Sequence, residues 1–413
     1  MANRPLESAF LHVICAITLA GAATLSFADR ASAQISDDVV KIGVLGDMSS
    51  LYADIAGPGS VVAARLAVED FGGTVLGKKI EIISADHQNK PDIGASIVRK
   101  WFDAEQVDAV ADVPNSAVGI AVHGIAREKN KVLLGSGTSL TDLTGSQCSP
   151  NSVIWTFDTW ALANGSATAL LKTGGKKWAF LTADYAFGHQ LERDASAFVK
   201  AGGGEVVSVI RHPLNTSDFS SYLLRAQSSG ANVIALANAG ADTANTVKQA
   251  REFGIGQGQQ KLAALVAFIS DVHALGLPVA QGLVLTSAFY WDMNDQTRAW
   301  AKRFVARNGG KYPTMVHAGV YAAVLHYLKS IESGKTDAGL DVVNAMKAMP
   351  TDDPLFGKGK IRADGRHVHP MYLFEVKKPD ESKYAYDYFK LVDTIPAERA
   401  FRPISEGGCY LVK

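Results

Sequence analysis

The sequence predicts an α/β protein of two Rossmann-like lobes, each built around a mostly parallel sheet, and three observations lead to this fold class. Short apolar runs rich in β-branched residues alternate with segments of helical periodicity along most of the chain. The strand–loop–helix unit that begins at Val39–Asp47 returns in similar form at Lys177–Asp184. A chain of 413 residues also exceeds what one hydrophobic core usually supports.

The first 33 residues have the pattern of a secretory signal peptide and are not expected to belong to the fold. Ala9–Leu25 is mostly apolar, and Ala31-Ser32-Ala33 is an A-x-A cleavage pattern. We therefore expect export of the chain and cleavage after Ala33. The alternative is an uncleaved membrane anchor, for which the apolar run is of marginal length.

In the first half of the chain, predicted strands and helices alternate. After Val39–Asp47 come the polar loop Met48–Gly59 and the helix Ser60–Phe71. The next strands are Lys79–Ala85, Val107–Val113, Lys131–Gly135 and Val153–Phe157, and the next helices are Pro91–Phe102, Ser116–Lys129 and Trp160–Leu171. Such βαβ units build parallel sheets with right-handed crossovers.

The second half repeats this pattern and then changes character. The strands are Lys177–Asp184, Glu205–Arg211, Asn232–Asn238, Leu262–Phe268 and Gly282–Ala288, with the helices Gln190–Ala201, Asp218–Ser229, Asp242–Phe253, Gln296–Asn308, Thr314–Glu332 and Asp337–Met349. A hairpin at Gly357–Arg366 and the antiparallel strands Met371–Lys377 and Tyr384–Leu391 follow.

The chain shows no Pro/Gly-rich linker between the two sets of elements, so we expect it to cross between the lobes on ordered segments. The expected crossings lie near Phe157, Ala288 and Phe356. They place residues 34–157 and 288–356 in the first lobe, and residues 158–287 and 357–413 in the second.

Charge and cysteine content limit the functions that the chain could have. Forty-one basic residues balance 41 acidic residues, so no electrostatic argument for nucleic acid or a membrane surface follows. After signal cleavage, Cys148 and Cys409 remain, and an exported chain with two cysteines favours a disulfide between them. The alternative is a pair of buried free thiols.

The sequence offers no recognisable catalytic or metal-binding motif. It lacks a P-loop, a nucleophile elbow, a C-x-x-C pair and a G-x-G-x-x-G after a strand. His367 and His369 alternate as metal ligands can, but no third ligand is near, and we interpret them as part of a solvated hairpin. We therefore expect neither an enzyme nor a cofactor, and an exported hydrolase remains an alternative.

The loops at the predicted strand ends carry small polar residues. Asn115 and Ser116 stand where one strand meets a helix, and Ser136–Ser139 follow the next strand. Hydroxyl groups and free backbone N–H groups at a helix start bind anions, which favours a bound carboxylate at this edge. For Asn115 or Ser116 alone, a helix N-cap is an equally good interpretation.

In the second lobe, the corresponding loops are aromatic. They contain Trp160, Tyr185, Phe187, Phe268, Tyr290 and Trp291. Binding pockets use aromatic side chains for contact area and a few polar groups for orientation. Some of these residues are expected to be core residues instead, Phe187 among them, and Tyr185 is the best candidate for a pocket wall.

Three stretches together resemble a known family: VKIGVLGDMSSLYADIAGPG, LLGSGTSLTDLTG and TADYAFGHQLERD. They are similar to periplasmic solute-binding proteins of the branched-chain amino acid type, which have the type I periplasmic binding fold. The resemblance implies a periplasmic monomer with two lobes joined by three hinge crossings. Such a protein closes over a small solute and delivers it to an ABC permease in the inner membrane.

The resemblance also implies roles for individual residues. Ser116, Gly137 and Ser139 match the family's carboxylate-binding positions, and Tyr185 matches an aromatic residue that stacks on the ligand. Asp271 stands where amino-acid members hold the ligand's ammonium, but the neighbouring Phe268 suggests an apolar wall. The expected ligand-binding set is Tyr52, Asn115, Ser116, Ser136, Gly137, Thr138, Ser139, Trp160, Tyr185, Gly240, Phe268 and Asp271.

We therefore expect a receptor for a small carboxylate, with an aromatic acid preferred over branched-chain or other amino acids. Asp271 is then expected to bind a local partner or to face solvent rather than the ligand, because a buried unpaired carboxylate beside an aromatic acid is costly. A ligand-sensing domain is a more remote alternative.

Overall fold

The computed structural model describes residues 35–258 and 260–413. The predicted signal peptide and its cleavage after Ala33 lie outside the described residues. Within the described part of the chain, no helix is both long and apolar enough to cross a membrane.

Strands and helices alternate through most of the chain, as the sequence predicts. The strands are β1 Val39–Gly46, β2 Thr74–Val75, β3 Lys78–Asp86, β4 Ala109–Asp112, β5 Val132–Gly135, β6 Ser152–Ile154, β7 Lys177–Ala183, β8 Glu205–His212, β9 Val233–Ala237, β10 Lys261–Ala264, β11 Val284–Ser287, β12 Thr351–Asp353, β13 Gly357–Ile361, β14 His367–Val368, β15 Met371–Val376 and β16 Phe389–Ile395. The α-helices are α1 Gly57–Phe71, α2 Pro91–Asp103, α3 Ser116–Glu128, α4 Thr159–Lys172, α5 Ala186–Ala201, α6 Ser220–Gln227, α7 Ala241–Glu252, α8 Ile269–Leu275, α9 Leu277–Ala280, α10 Asp295–Arg307, α11 Met315–Gly334, α12 Gly339–Ala348 and α13 Ala397–Ala400.

The larger sheet has six strands in the order β2-β3-β1-β4-β5-β6. All neighbours run parallel except β2, which pairs antiparallel with β3. Alternate residues of β1 face opposite layers: Val44 packs in the core that contains α1 and α11, while Leu45 packs in the core that contains α2 and α3. Because both faces are covered, β1 is an almost continuous apolar run, as in buried parallel strands.

A second parallel sheet has four strands in the order β10-β9-β7-β8. Here β7 pairs in parallel with both β8 and β9, and β10 pairs in parallel with β9. These two parallel sheets confirm the predicted α/β class.

Two small antiparallel sheets complete the described fold, in the orders β11-β15-β16 and β12-β13-β14. The predicted hairpin at 357–366 is present: the Arg362 N–H donates to the Arg366 carbonyl at 2.9 Å. The predicted lobe boundary at residue 356 falls between β12 and β13, which pair with each other. The division of the chain into two lobes therefore stays a prediction.

Two connecting segments are tied together by one buried cation. Residues 155–158 lead from β6 to α4, and residues 366–370 include β14 and lead to β15. The guanidinium of Arg366 donates to the carbonyls of Trp155 at 2.5 Å and Phe157 at 2.9 Å, and lies 3.6 Å from an Asp158 carboxylate oxygen. It also stacks over the Phe401 ring at 4.2 Å. Hydrogen bonds and paired charge offset the cost of burying this cation.

The expectation of a solvated hairpin around His367 and His369 is wrong, because both imidazoles are buried. His367 stacks on the Trp155 ring with centroids 4.0 Å apart, and His369 Nε2 lies 2.9 Å from the Thr156 carbonyl. Burial lowers the pKa of both side chains, so they are neutral at physiological pH. Among the described residues, no group of histidines, cysteines or carboxylates could hold a metal ion.

The predicted disulfide is confirmed. Cys148 and Cys409 are bonded, with their Cα atoms 5.6 Å apart and 261 positions apart in sequence. The bond joins the loop before β6 to the segment that follows α13.

Candidate functional site

The carboxyl ends of the parallel strands position the candidate site. At one edge of the six-stranded sheet, Asp112 at the end of β4 pairs with Gly135 at the end of β5. The loops 47–56, 113–115 and 136–140 begin at this edge. On the four-stranded sheet, the loops after β7, β9 and β10 begin at the ends of parallel neighbours. Ligands of open α/β sheets bind at such edges.

The loops of both parallel sheets meet around one small cavity. Its volume is about 20 Å³, roughly the room that a single water molecule needs. Of the predicted site residues, five line it: Tyr52, Gly137, Ser139, Tyr185 and Phe268. The other lining residues are Ile55, Pro114, Phe157, Phe187, Ala239 and Val316.

Two tyrosines close the cavity from opposite sheets. The hydroxyl of Tyr52, in the loop after β1, lies 2.6 Å from the hydroxyl of Tyr185, which follows β7. The Tyr52 backbone N–H donates to the Asp47 carboxylate at 2.8 Å, which fixes the loop that carries the ring. Burial raises the pKa of both phenols, so both hydroxyls keep their protons and can donate.

Asn115 and Ser116 start α3 but have different roles. Asn115 is the N-cap: its side-chain oxygen accepts from the backbone N–H groups of Ala117 at 3.0 Å and Val118 at 3.2 Å. The structure thus places Asn115 in the capping role that was the alternative to a ligand contact. The Ser116 hydroxyl is buried and has no hydrogen-bond partner within the described chain.

The loop after β5 presents its backbone and one hydroxyl to the cavity. Ser139 Oγ donates to the Gly137 carbonyl at 3.1 Å, while Thr138 Oγ1 points away and donates to the Val113 carbonyl at 2.7 Å. Ser136 Oγ is buried, with no partner among the described residues. A Cβ on Gly137 would lie 2.5 Å from Pro114 Cα, so this close approach of two loops requires glycine.

The aromatic wall includes Phe268 and Tyr185, as the sequence suggested, but not Trp160. Phe268 meets the Phe157 ring edge-on, with centroids 6.3 Å apart. Trp160 lies on the first turn of α4 and packs edge-on against Phe198 of α5, with centroids 5.0 Å apart. Trp160 does not line this cavity, because the start of α4 turns the indole toward α5, and a contact between Trp160 and the ligand stays a prediction.

Asp271 has the local partner that was expected for it. Its carboxylate accepts from the Phe268 backbone N–H at 2.9 Å, at the start of α8, and it is buried. Burial raises the pKa of Asp271 to about 7, against the opposing effect of the Phe268 N–H. Asp271 does not line the cavity.

Gly240 lies at a contact between the loops of the two parallel sheets. It precedes α7 with φ +62°, a conformation that residues with a Cβ rarely adopt. A Cβ there would lie 2.7 Å from the Leu51 carbonyl oxygen and 3.1 Å from Tyr52 Cδ1. The glycine thus lets the loop after β9 touch the loop after β1.

Sequence reasoning missed several lining residues. Phe157 is the last residue of a predicted strand, where the sequence indicates only a crossing point, and Phe187 is expected in the core. Ile55, Ala239 and Val316 carry no chemical signal in the sequence, because only the packing of distant loops brings them to the cavity.

Comparisons with known proteins agree with this geometry. Residues 39–383 match the family model described as periplasmic binding protein. A periplasmic binding protein from Burkholderia mallei, whose crystal structure is known, is 50% identical in sequence. The match covers 91% of this chain and 100% of the Burkholderia chain, and the two structures superpose with a TM-score of 0.89.

Two further relatives are named for amino acids. A branched chain amino acid ABC transporter periplasmic ligand-binding protein from Burkholderia xenovorans LB400 is 40% identical over 91% of this chain and 100% of its own, with a TM-score of 0.81. A Leu/Ile/Val-binding protein homolog 6 from Brucella melitensis is 30% identical over 359 residues, 84% of this chain and 90% of its own. These relatives are binding proteins and not enzymes. The chain belongs to the periplasmic binding protein family of ABC transporters, which bind small molecules and deliver them to a permease.

Proposed function

We propose that this protein binds a small aromatic carboxylate between its two parallel sheets and delivers it to an ABC permease. One observation carries the choice of ligand class: five aromatic residues line the cavity, but none of the described residues that line it has a charged side chain. An amino acid ligand would bring an ammonium group into this uncharged cavity. Burying that charge without a carboxylate partner is costly, whereas an aromatic ring suits the apolar wall.

Three acidic side chains around the site are already engaged. Asp47 accepts from the Tyr52 N–H, and Asp271 accepts from the Phe268 N–H. Asp242, whose charge raises the pKa of Tyr52, accepts from two backbone N–H groups at 3.0 and 3.1 Å. An ammonium group would have to compete with these hydrogen bonds, which disfavours an amino acid.

The carboxylate of the ligand has suitable donors on the other side of the cavity. In this structure Ser139 Oγ donates to the Gly137 carbonyl at 3.1 Å. After a rotation about χ1 the same hydroxyl could donate to a ligand instead. Ser116, at the start of the 13-residue helix α3, adds a buried hydroxyl with no partner within the described chain. Helix starts favour anions because their N–H groups are free.

The cavity size implies that binding involves movement. A volume of about 20 Å³ is too small for an aromatic ring, so Tyr52 and Tyr185 must separate before a ring can enter. We propose that the two parallel sheets hinge apart along the connecting segments and close over the ligand. The periplasmic location and the monomeric state are part of the same proposal.

The second candidate ligand class is the branched-chain amino acids. The names of the 40% and 30% identical relatives favour it. In that case Asp271 would have to turn from the Phe268 N–H toward the ligand ammonium.

A thermal-shift screen separates the two classes. Ligand binding raises the melting temperature by mass action, so the ranking of shifts follows affinity. We expect benzoate or phenylpyruvate to raise the melting temperature more than leucine, isoleucine or valine, and Ser116→Ala to reduce the shift. Shifts with leucine but not with benzoate, abolished by Asp271→Asn, would show that the amino-acid alternative is correct.

A further inference from the structure

A buried acid lies directly beneath the proposed carboxylate-binding loop. Asp112 ends β4, is fully buried, and adopts φ +80°, which is rare for a residue with a side chain. Neither of its carboxyl oxygens has a hydrogen-bond partner among the described residues. The Ser60 hydroxyl and the Gly137 N–H lie nearby and lower its pKa without reaching hydrogen-bond geometry. An orphaned polar group of this kind is rare and calls for an explanation.

The position of Asp112 relates it to the ligand. A Cβ on Gly137 would lie 2.9 Å from Asp112 Oδ1, so the carboxyl group lies close to the Gly137 backbone. Gly137, together with Ser139, also lines the cavity. Asp112 is therefore a direct neighbour of the wall where the ligand carboxylate is proposed to bind.

No neighbouring cation compensates a charge on Asp112 within the described structure. On the elements around β4, the titratable groups have other partners: Asp47 after β1, His87 after β3, His123 on α3 and His317 on α11. Burial lowers the pKa of His87 and His317 to about 4, and also lowers that of His123, so all three imidazoles are neutral at pH 7.

We infer that Asp112 is a proton-binding site coupled to the ligand, so that the protein takes up a proton when a ligand carboxylate binds beside Gly137. This inference rests on the proposed carboxylate site. Two negative charges beside the same glycine, in a buried environment, repel each other strongly. A protonated Asp112 removes this repulsion.

The coupling has a definite sign and size. Burial raises the pKa of Asp112 to about 7, so about half of the molecules are ionised there at neutral pH. If only the protonated form binds a carboxylate, affinity falls as pH rises, by about fivefold between pH 7 and pH 8, and about half a proton is taken up per ligand at pH 7.

Isothermal titration calorimetry with benzoate tests the inference in the full protein. Titrations at pH 7 in two buffers of different ionisation enthalpy give the number of protons taken up. We expect about half a proton for wild type and none for Asp112→Asn, whose affinity should be flat from pH 6 to pH 8. The matched control is Asp353→Asn, which removes another buried carboxyl group, one that does not line the cavity. Burial raises the pKa of Asp353 to about 6, and this variant should keep the proton uptake of wild type.

The outcomes separate this inference from the proposed ligand class. Benzoate binding by wild type without proton uptake, or equal uptake by Asp112→Asn, would overturn the coupling and leave the ligand class intact. Absence of benzoate binding would overturn the aromatic ligand, and the same titration with leucine, which also carries a carboxylate, would then decide the coupling. Where Asp112→Asn does not fold, benzoate binding by wild type without proton uptake still overturns the coupling.

Discussion

Gly240→Ala is expected to weaken ligand binding by obstructing closure. Gly240 has φ +62°, and a Cβ there would lie 2.7 Å from the Leu51 carbonyl oxygen of the opposite loop. The clash arises only when the loops after β1 and β9 touch, as they do here. The substitution should therefore disfavour the closed form relative to an open one.

Two costs are expected for this variant, and they can be separated. The left-handed backbone conformation costs about 1–3 kcal/mol with any side chain, whether or not the loops touch. Forcing a methyl group against a carbonyl adds about 1–3 kcal/mol to the closed form alone. Since 1.4 kcal/mol corresponds to a tenfold change in affinity, the second cost predicts binding that is about 5- to 150-fold weaker.

The matched control is Gly230→Ala. Gly230 also has a positive φ, of +77°, but a Cβ there would meet no atom within 4 Å. Both variants should melt a few degrees below wild type, because about 1 kcal/mol shifts the melting temperature of a domain of this size by about 2–4 °C. Only Gly240→Ala should lose affinity in calorimetric titration. Equal affinities for the two variants would refute the role of this contact in closure.

Three other predictions concern the disulfide, the anion loop and a buried acid. Replacing both Cys148 and Cys409 by alanine should lower the melting temperature, because the disulfide closes a loop of 261 positions. The chain entropy removed from the unfolded state stabilises the fold by about 5 kcal/mol at most. Scanning calorimetry that finds no change in melting temperature would contradict this. Ser139→Ala should weaken benzoate binding about tenfold or more, because a hydrogen bond to a charged group contributes about 1.5–3 kcal/mol. The control Ser228→Ala, on the exposed surface, should leave the affinity unchanged. Equal affinities of the two variants in titration calorimetry would place the carboxylate elsewhere. Burial raises the pKa of Asp271 to about 7 in the folded protein, so wild type should lose stability as pH rises from about 4 to 7. The melting temperature of Asp271→Asn minus that of wild type should therefore be larger at pH 8 than at pH 5. The same difference at both pH values would argue against the raised pKa.

The elements could be predicted from the sequence because their periodicity is local. The first predicted strand, Val39–Asp47, differs from β1 by one residue. In contrast, the last predicted strand, Tyr384–Leu391, is displaced, because β16 begins only at Phe389. Tyr386 adopts φ +62° and stacks on Tyr312, with ring centroids 4.2 Å apart. A contact between residues so far apart in sequence overrides the local strand propensity of this segment.

The candidate site was predictable where it depends on strand ends and not where it depends on packing. The turn residue Gly137 and the aromatic Tyr185 follow their strands directly, and both line the cavity. Trp160 also follows a strand, but the N-cap Asp158 starts α4 so that its ring faces α5. Asp112 is a lone acid at the end of an apolar strand, and only the fold reveals that none of the described residues pairs with its carboxyl group.

The buried Arg366 constrains the hinge movement that we propose for the two parallel sheets. Its guanidinium holds the carbonyls of Trp155 and Phe157, so the segment that leads from β6 to α4 is pinned at one point to the segment that leads through β14 to β15. Sliding one sheet past the other would break these hydrogen bonds in the protein interior. Rotation about an axis through the pinned point leaves them intact, so opening should follow an arc in which displacement grows with distance from Arg366.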